Sequence, residues 1–197
     1  MNNDGIALFV HIVGLIALFS ALVLLQRGVV RLRTASTWEE ARVWLGMMRP
    51  VGGMFLFGTL DLLVTGLYMA RLEWTSDAPW VVIAEIVTVA CAVVGVIVAA
   101  AVARMSRIAS RHTGEVADDD QEILRAPAIW APVFAMNGTA MGVVWLMTTK
   151  PGWAVAIAVP LILTLAGAVA GMNVSRAKKP YMSSWEPIPS LRERHAS

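Results

Sequence analysis

Five stretches of roughly twenty apolar residues, separated by short charged connections, decide what this 197-residue chain can fold into. They run over 5–25, 51–70, 80–103, 129–148 and 153–172. A bilayer's hydrocarbon core is about 30 Å thick and a helix rises about 1.5 Å per residue, so each stretch is long enough to cross it. Backbone polar groups in lipid must be satisfied within the segment, which selects helices for spans of this length. Composition agrees. Hydrophobic residues make up 57% of the chain and charged residues only 15%, against about 25% in soluble domains. So little charge cannot coat a water-facing surface, and a soluble globular enzyme is excluded. The expected fold is an all-α, five-helix membrane bundle over 1–175, followed by a tail over 176–197.

Charge predicts the orientation. Fourteen of the sixteen basic residues fall in alternate connections or the tail: Arg27, Arg31, Arg33, Arg42 and Arg49, then Arg104, Arg107, Arg111 and Arg125, then Arg176, Lys178, Lys179, Arg192 and Arg194. Only Arg71 and Lys150 lie on the other side. The positive-inside rule then puts the N-terminus outside and the C-terminus in the cytoplasm. The opening Met1-Asn2-Asn3-Asp4 lacks a basic n-region, so a cleaved signal peptide is not expected. Tryptophans favour headgroup depth. Trp74, Trp80, Trp145 and Trp153 fall at the predicted outer boundary, and Trp38, Trp44, Trp130 and Trp185 at or near the inner one. Arginine outnumbers lysine thirteen to three, which fits a GC-rich bacterial genome; with the five spans, the expected location is a bacterial inner membrane, crossed several times. Lipid is the expected partner; nucleic acid is not.

The cytoplasmic connections carry local signals. Thr37-Trp38-Glu39-Glu40 reads as a capping box. It predicts a short interfacial helix over about 38–48 with Trp38, Ala41, Leu45 and Met48 on one side. Glu115, Asp118, Asp119, Asp120 and Glu122 form an acidic run without the glycine turn of a calcium loop. Asp118 with Gln121 also fits a cap before the fourth span.

Polar groups inside lipid are expensive and are the default functional candidates. His11, Asp61, Glu85 and Asn137 stand out. Counted from the outer boundary, Glu85 lies roughly 7 Å deep, His11 roughly 9 Å, and Asp61 roughly 15 Å, with Asn137 as deep or slightly deeper. Gly58, Asp61, Thr65 and Tyr68 follow i, i+3, i+7, i+10 spacing and form one stripe on the second span. Glu85, Thr88, Ala92, Gly95 and Ala99 form a comparable face on the third. Such faces pack inward or line a wet cavity. Asp61 is then either a titrating group with His11 as its partner, or a structural pin bonded to Asn137 or a backbone carbonyl. His11 has an alternative partner in Glu85.

Gly138 with Gly142 and Gly167 with Gly171 are GxxxG pairs that permit close helix approach. The turn 149–152 makes the last two spans an antiparallel hairpin, so packing within the chain is one use of these faces and dimerisation the other. Cys91 is the lone cysteine, so no intrachain disulfide or CxxC metal site exists. No Ser-His-Asp set, HExxH or phosphate-binding glycine loop is present, and no enzymatic activity is expected.

The segment Leu8-Phe9-Val10-His11-Ile12-Val13-Gly14 resembles the first helix of small bacterial integral membrane proteins distantly similar to the copper-resistance D membrane domain. Thr65-Gly66-Leu67-Tyr68-Met69-Ala70 resembles a segment of an uncharacterised "predicted integral membrane protein" family of that kind. The likeness covers about two helices and implies His11 as a metal or haem ligand, although no other histidine lies within a span. Three functions follow as expectations. The first is a proton-linked transporter of a small solute or ion, with an outward-facing pocket of Asp61, His11, Glu85, Thr65, Tyr68 and Asn137. The second is a non-catalytic subunit or scaffold of a membrane complex or homo-oligomer. The third is a b-type haem protein with Met136 or Met141 as second ligand.

Overall fold

The computed structural model describes residues 3–73, 78–117, 119–120, 124 and 127–176. Trp74, Asp118, Gln121, Glu122, Arg125 and the tail from 177 onward, Trp185 included, lie outside the described residues. Among the described residues, six helices have both ends defined: α1 (Asn3–Leu32), α2 (Trp38–Met48), α3 (Val51–Glu73), α4 (Pro79–Ala109), α5 (Pro127–Thr149) and α6 (Trp153–Arg176). Five helical stretches are long and apolar enough to cross a membrane, the second counted from α2 through α3. The protein is thus all-helical and multi-pass in character.

Helix α1 packs along α3, and α5 along α6, while α4 joins the two pairs by touching α3, α5 and α6. Helix α5 also reaches α1, which makes it the centre of the bundle. Half of its apolar stretch is buried, against 17% for the peripheral α6. The helices outrun the predicted spans, α1 and α4 furthest: α1 continues past Leu25 to Leu32, and α4 past Ala103 to Ala109. Charged residues enter there, but no proline interrupts either extension, so the helices continue. Trp130 is 1% exposed and donates from Nε1 to the Leu124 carbonyl at 3.4 Å. It is a core residue and not the boundary anchor that its position suggests. Trp38 is buried likewise.

Both GxxxG pairs are used inside the chain. A Cβ on Gly138 would overlap the Leu163 carbonyl, and one on Gly142 would lie 2.8 Å from Pro160 Cα. On α6, a Cβ at Gly167 would strike the Phe134 carbonyl, and one at Gly171 would come within 2.6 Å of the Trp130 carbonyl. All four glycines let the α5 and α6 backbones touch. Thr164 donates to Thr139 Oγ1 at 2.8 Å across the same seam, since the Thr139 hydroxyl hydrogen goes to the Ala135 carbonyl. The hairpin closes through Lys150, whose φ of 48° turns the chain after α5.

At the end of the bundle that carries Arg27, Arg49 and Arg107, here the basic end, α2 is clasped to the segment after α4. Thr37 Oγ1 accepts from Glu40 N–H at 3.2 Å, and Glu40 reaches back to Ser36 N–H at 3.1 Å. The expected capping box therefore forms, one residue wider than its simplest version. Trp38, Ala41, Leu45 and Met48 are all buried. Backbone bonds join Trp38 N–H to the Gly114 carbonyl (2.9 Å) and Val116 N–H to the Ser36 carbonyl (3.0 Å), and Trp38 stacks on His112 with centroids 5.0 Å apart. Arg33 donates to the Val174 carbonyl and ties α1 to the last turn of α6.

Candidate functional site

The α1/α3 crossing brings three of the singled-out residues together. The backbones approach because both helices offer a glycine. A Cβ on Gly58 would lie 2.7 Å from both Gly14 O and Leu18 N. Gly14 is the opposite half of the contact, and its missing side chain leaves a notch that the Asp61 carboxylate fills: a Cβ there would overlap Oδ2. One turn farther from the basic end, His11 lies 7% exposed against Gly66, whose added Cβ would sit 3.4 Å from His11 Cε1. His11 and Gly14 on α1 thus face Gly58, Asp61 and Thr65 on α3, as spacings of three and four dictate on paired helices.

The hydrogen bonds fix the imidazole's form. The Thr65 hydroxyl donates its one hydrogen to the Asp61 carbonyl at 2.6 Å, and His11 Nδ1 lies 2.8 Å from Thr65 Oγ1. Thr65 must then accept, so Nδ1 carries the hydrogen and neutral His11 keeps its lone pair on Nε2. Asp61 is less well satisfied. Its Oδ2 is buried and has no hydrogen-bond partner among the described residues. A buried acceptor left without a donor costs about 1–3 kcal/mol, and more when charged. The His11 imidazole is anchored a single turn away.

The other candidates stand apart. Tyr68 is 44% exposed on the outer flank of α3. Asn137 donates to the Val133 carbonyl of its own helix at 3.0 Å, so it is no partner for Asp61 in this arrangement. Glu85 is half-buried and borders a cavity of about 40 Å3 with Trp80, Ala84, Thr88 and Gly66. Gly66 therefore has His11 against it and also helps wall the Glu85 cavity, while the His11 Nδ1 bond goes to Thr65 and not to Glu85.

Sequence reasoning missed Gly14 as a site residue. Its signal was the i+3 spacing from His11. It also missed a cavity of about 20 Å3 at the bundle centre, walled by Thr59, Thr88, Thr139 and Cys91. That volume suffices for one water. The three hydroxyls donate to carbonyls one turn back in their own helices at 2.7–2.9 Å, leaving lone pairs for such a guest.

No protein family, curated protein or solved structure matches this chain.

Among the described residues, no three His, Cys, Asp or Glu side chains converge in a metal-binding group. Met141 is 54% exposed, and Met136 is buried beside a different, apolar cavity. Trp38 is buried within the chain, and all four glycines of the GxxxG pairs lie in the α5–α6 seam.

Proposed function

We propose that this is a small proton-linked membrane protein, moving a solute or ion, in which Asp61 and His11 form the proton-exchanging element. The observation that carries the reading is the buried, donorless Asp61 Oδ2, seated in the Gly14 notch one turn from an oriented imidazole. In hydrocarbon an unpaired carboxylate is expensive, so protonation and deprotonation of Asp61 change the energy of the α1/α3 crossing far more than they would at a surface. His11 Nε2 receives the proton, and the resulting imidazolium is balanced by the Asp61 carboxylate. Thr65 holds the ring in position throughout.

The same reading includes the finer topology. The N-terminus faces outward, the basic end lies in the cytoplasm, and α2 rests at the inner interface of a bacterial inner membrane. Arg27, Arg31, Arg49, Arg104 and Arg107 at one end of the bundle support that orientation through the positive-inside rule. Tyr68, one turn beyond Thr65, then marks the outward approach to the site.

The test is proton flux into proteoliposomes holding a trapped pH-sensitive dye, after an imposed pH step. Wild-type protein passes protons, and Asp61→Asn abolishes the flux while its circular dichroism and detergent elution stay unchanged. Full flux in Asp61→Asn removes the proposal.

A further inference from the structure

We infer that the crevice between α3 and α4 at the basic end is a binding site for one acyl chain of an anionic phospholipid, with the phosphate held by Arg49 and Arg107. The crevice has a volume of about 350 Å3, within the range of small-molecule sites. Its walls are apolar: Val51, Phe55 and Val98 are buried. Its lips are exposed sideways, with Leu56 at 49% and Val96 at 65%, so it opens where lipid lies.

Its length matches one leaflet. The lining on α4 runs from Ala92 to Ala103, about 16 Å at the helical rise, and half of a hydrocarbon core of about 30 Å is about the same. Small side chains at Gly52, Ala92, Ala99 and Ala103 create the space, while Phe55 closes on Gly95, where an added Cβ would overlap the ring.

Charge completes the match. Arg49 lines the mouth of the crevice. Arg107 lies one turn beyond Ala103 on the same side of α4 and, with Arg104 and Arg111, walls a second hollow of about 300 Å3. All four arginines are exposed, and no carboxylate of the described residues forms a salt bridge with them. An acyl-length groove that ends under exposed guanidinium groups fits a lipid whose headgroup carries a net negative charge at its phosphate. A zwitterionic lipid gains the groove but not the full charge. This assignment does not depend on the proton-linked reading.

The probe is native mass spectrometry of the full chain released from micelles containing equal phosphatidylglycerol and phosphatidylcholine. Wild-type protein retains one phosphatidylglycerol in preference to phosphatidylcholine. Arg49→Gln with Arg107→Gln lowers that preference roughly 30-fold. Ala99→Phe fills the groove and lowers retention of both lipids with the arginines intact. Arg71→Gln, at the opposite end of the bundle, leaves the preference unchanged. Equal loss in Arg71→Gln, an undiminished preference in the double variant, or undiminished retention in Ala99→Phe would each overturn the assignment. Circular dichroism confirms that each variant is folded.

Discussion

Replacing Gly14 by alanine puts a methyl group where Asp61 keeps its carboxylate. The new Cβ would overlap Oδ2 and lie 2.8 Å from Cγ and 3.0 Å from the Asp61 Cβ. Relieving that overlap requires a new Asp61 rotamer or a wider α1/α3 crossing, and overpacking of this kind costs about 1–3 kcal/mol. Alanine recovers about 1 kcal/mol of helix propensity over glycine, so Gly14→Ala alone should destabilise by about 0–2 kcal/mol. In an Asp61→Ala background Oδ2 and Cγ are gone. The remaining 3.0 Å contact needs a shift of only a few tenths of an ångström, and Gly14→Ala becomes neutral or stabilising. The double-mutant cycle should therefore show a coupling of about 1–3 kcal/mol, above the 0.3–0.5 kcal/mol scatter of roughly additive pairs. Gly58→Ala is the internal control. Its Cβ meets Gly14 O and Leu18 N, both backbone atoms, at 2.7 Å, so Asp61→Ala cannot relieve it. Reversible unfolding in mixed micelles with increasing sodium dodecyl sulfate, followed by circular dichroism, measures all six species. Strict additivity of Gly14→Ala with Asp61→Ala would show that the carboxylate does not occupy the notch.

Three other outcomes are expected. Thr65→Val removes the acceptor for His11 Nδ1–H and should cost about 0.6–2 kcal/mol; 15N spectra of labelled histidine should show His11 leaving the Nδ1–H tautomer. Gly171→Leu and Gly142→Leu should each separate α5 from α6, with losses of several kcal/mol because the struck atoms are the Trp130 carbonyl and Pro160 Cα; thermal unfolding in detergent reads this directly. At the basic end, Glu39 is held below the ordinary glutamate value of 4.5, first by its own backbone N–H and then by Gly114 N–H and Arg42, with some desolvation opposing them. A depressed folded value means that its contribution is present above 4.5 and lost as pH falls through that depressed value; amide exchange at 112–117 should speed up there in wild type but show no such step in Glu39→Gln.

Hydropathy made the five spans legible, and helical spacing made the Gly58-Asp61-Thr65 stripe legible, because both properties belong to single helices. The buried face of α2 was readable for the same reason: Thr37 and Glu40 set its start, and Trp38, Ala41, Leu45 and Met48 share one side. What spacing cannot supply is the choice of neighbour. Asn137 has the depth to meet Asp61 yet bonds Val133 within α5, because α3 presents its stripe to α1. Glu85 has the depth to meet His11, yet the imidazole bonds Thr65. Gly14 looks like one glycine among fifteen until the Asp61 oxygen is found over it. Trp130 misleads for a related reason: an indole near a predicted boundary suits the headgroups, but α5 is the central helix and turns it inward. The crevice above Arg49 is invisible in any one helix, since α3 and α4 supply most of its wall and α1, α2 and α5 the rest.

Infrared difference spectra of aspartate-labelled protein in lipid vesicles, recorded across a pH step, look directly at the group on which the functional proposal rests. A carboxylic C=O band should rise and fall with the step in wild type, shift in His11→Gln, and be missing from Asp61→Asn. An identical band in Asp61→Asn would mean that the α1/α3 crossing does not exchange protons.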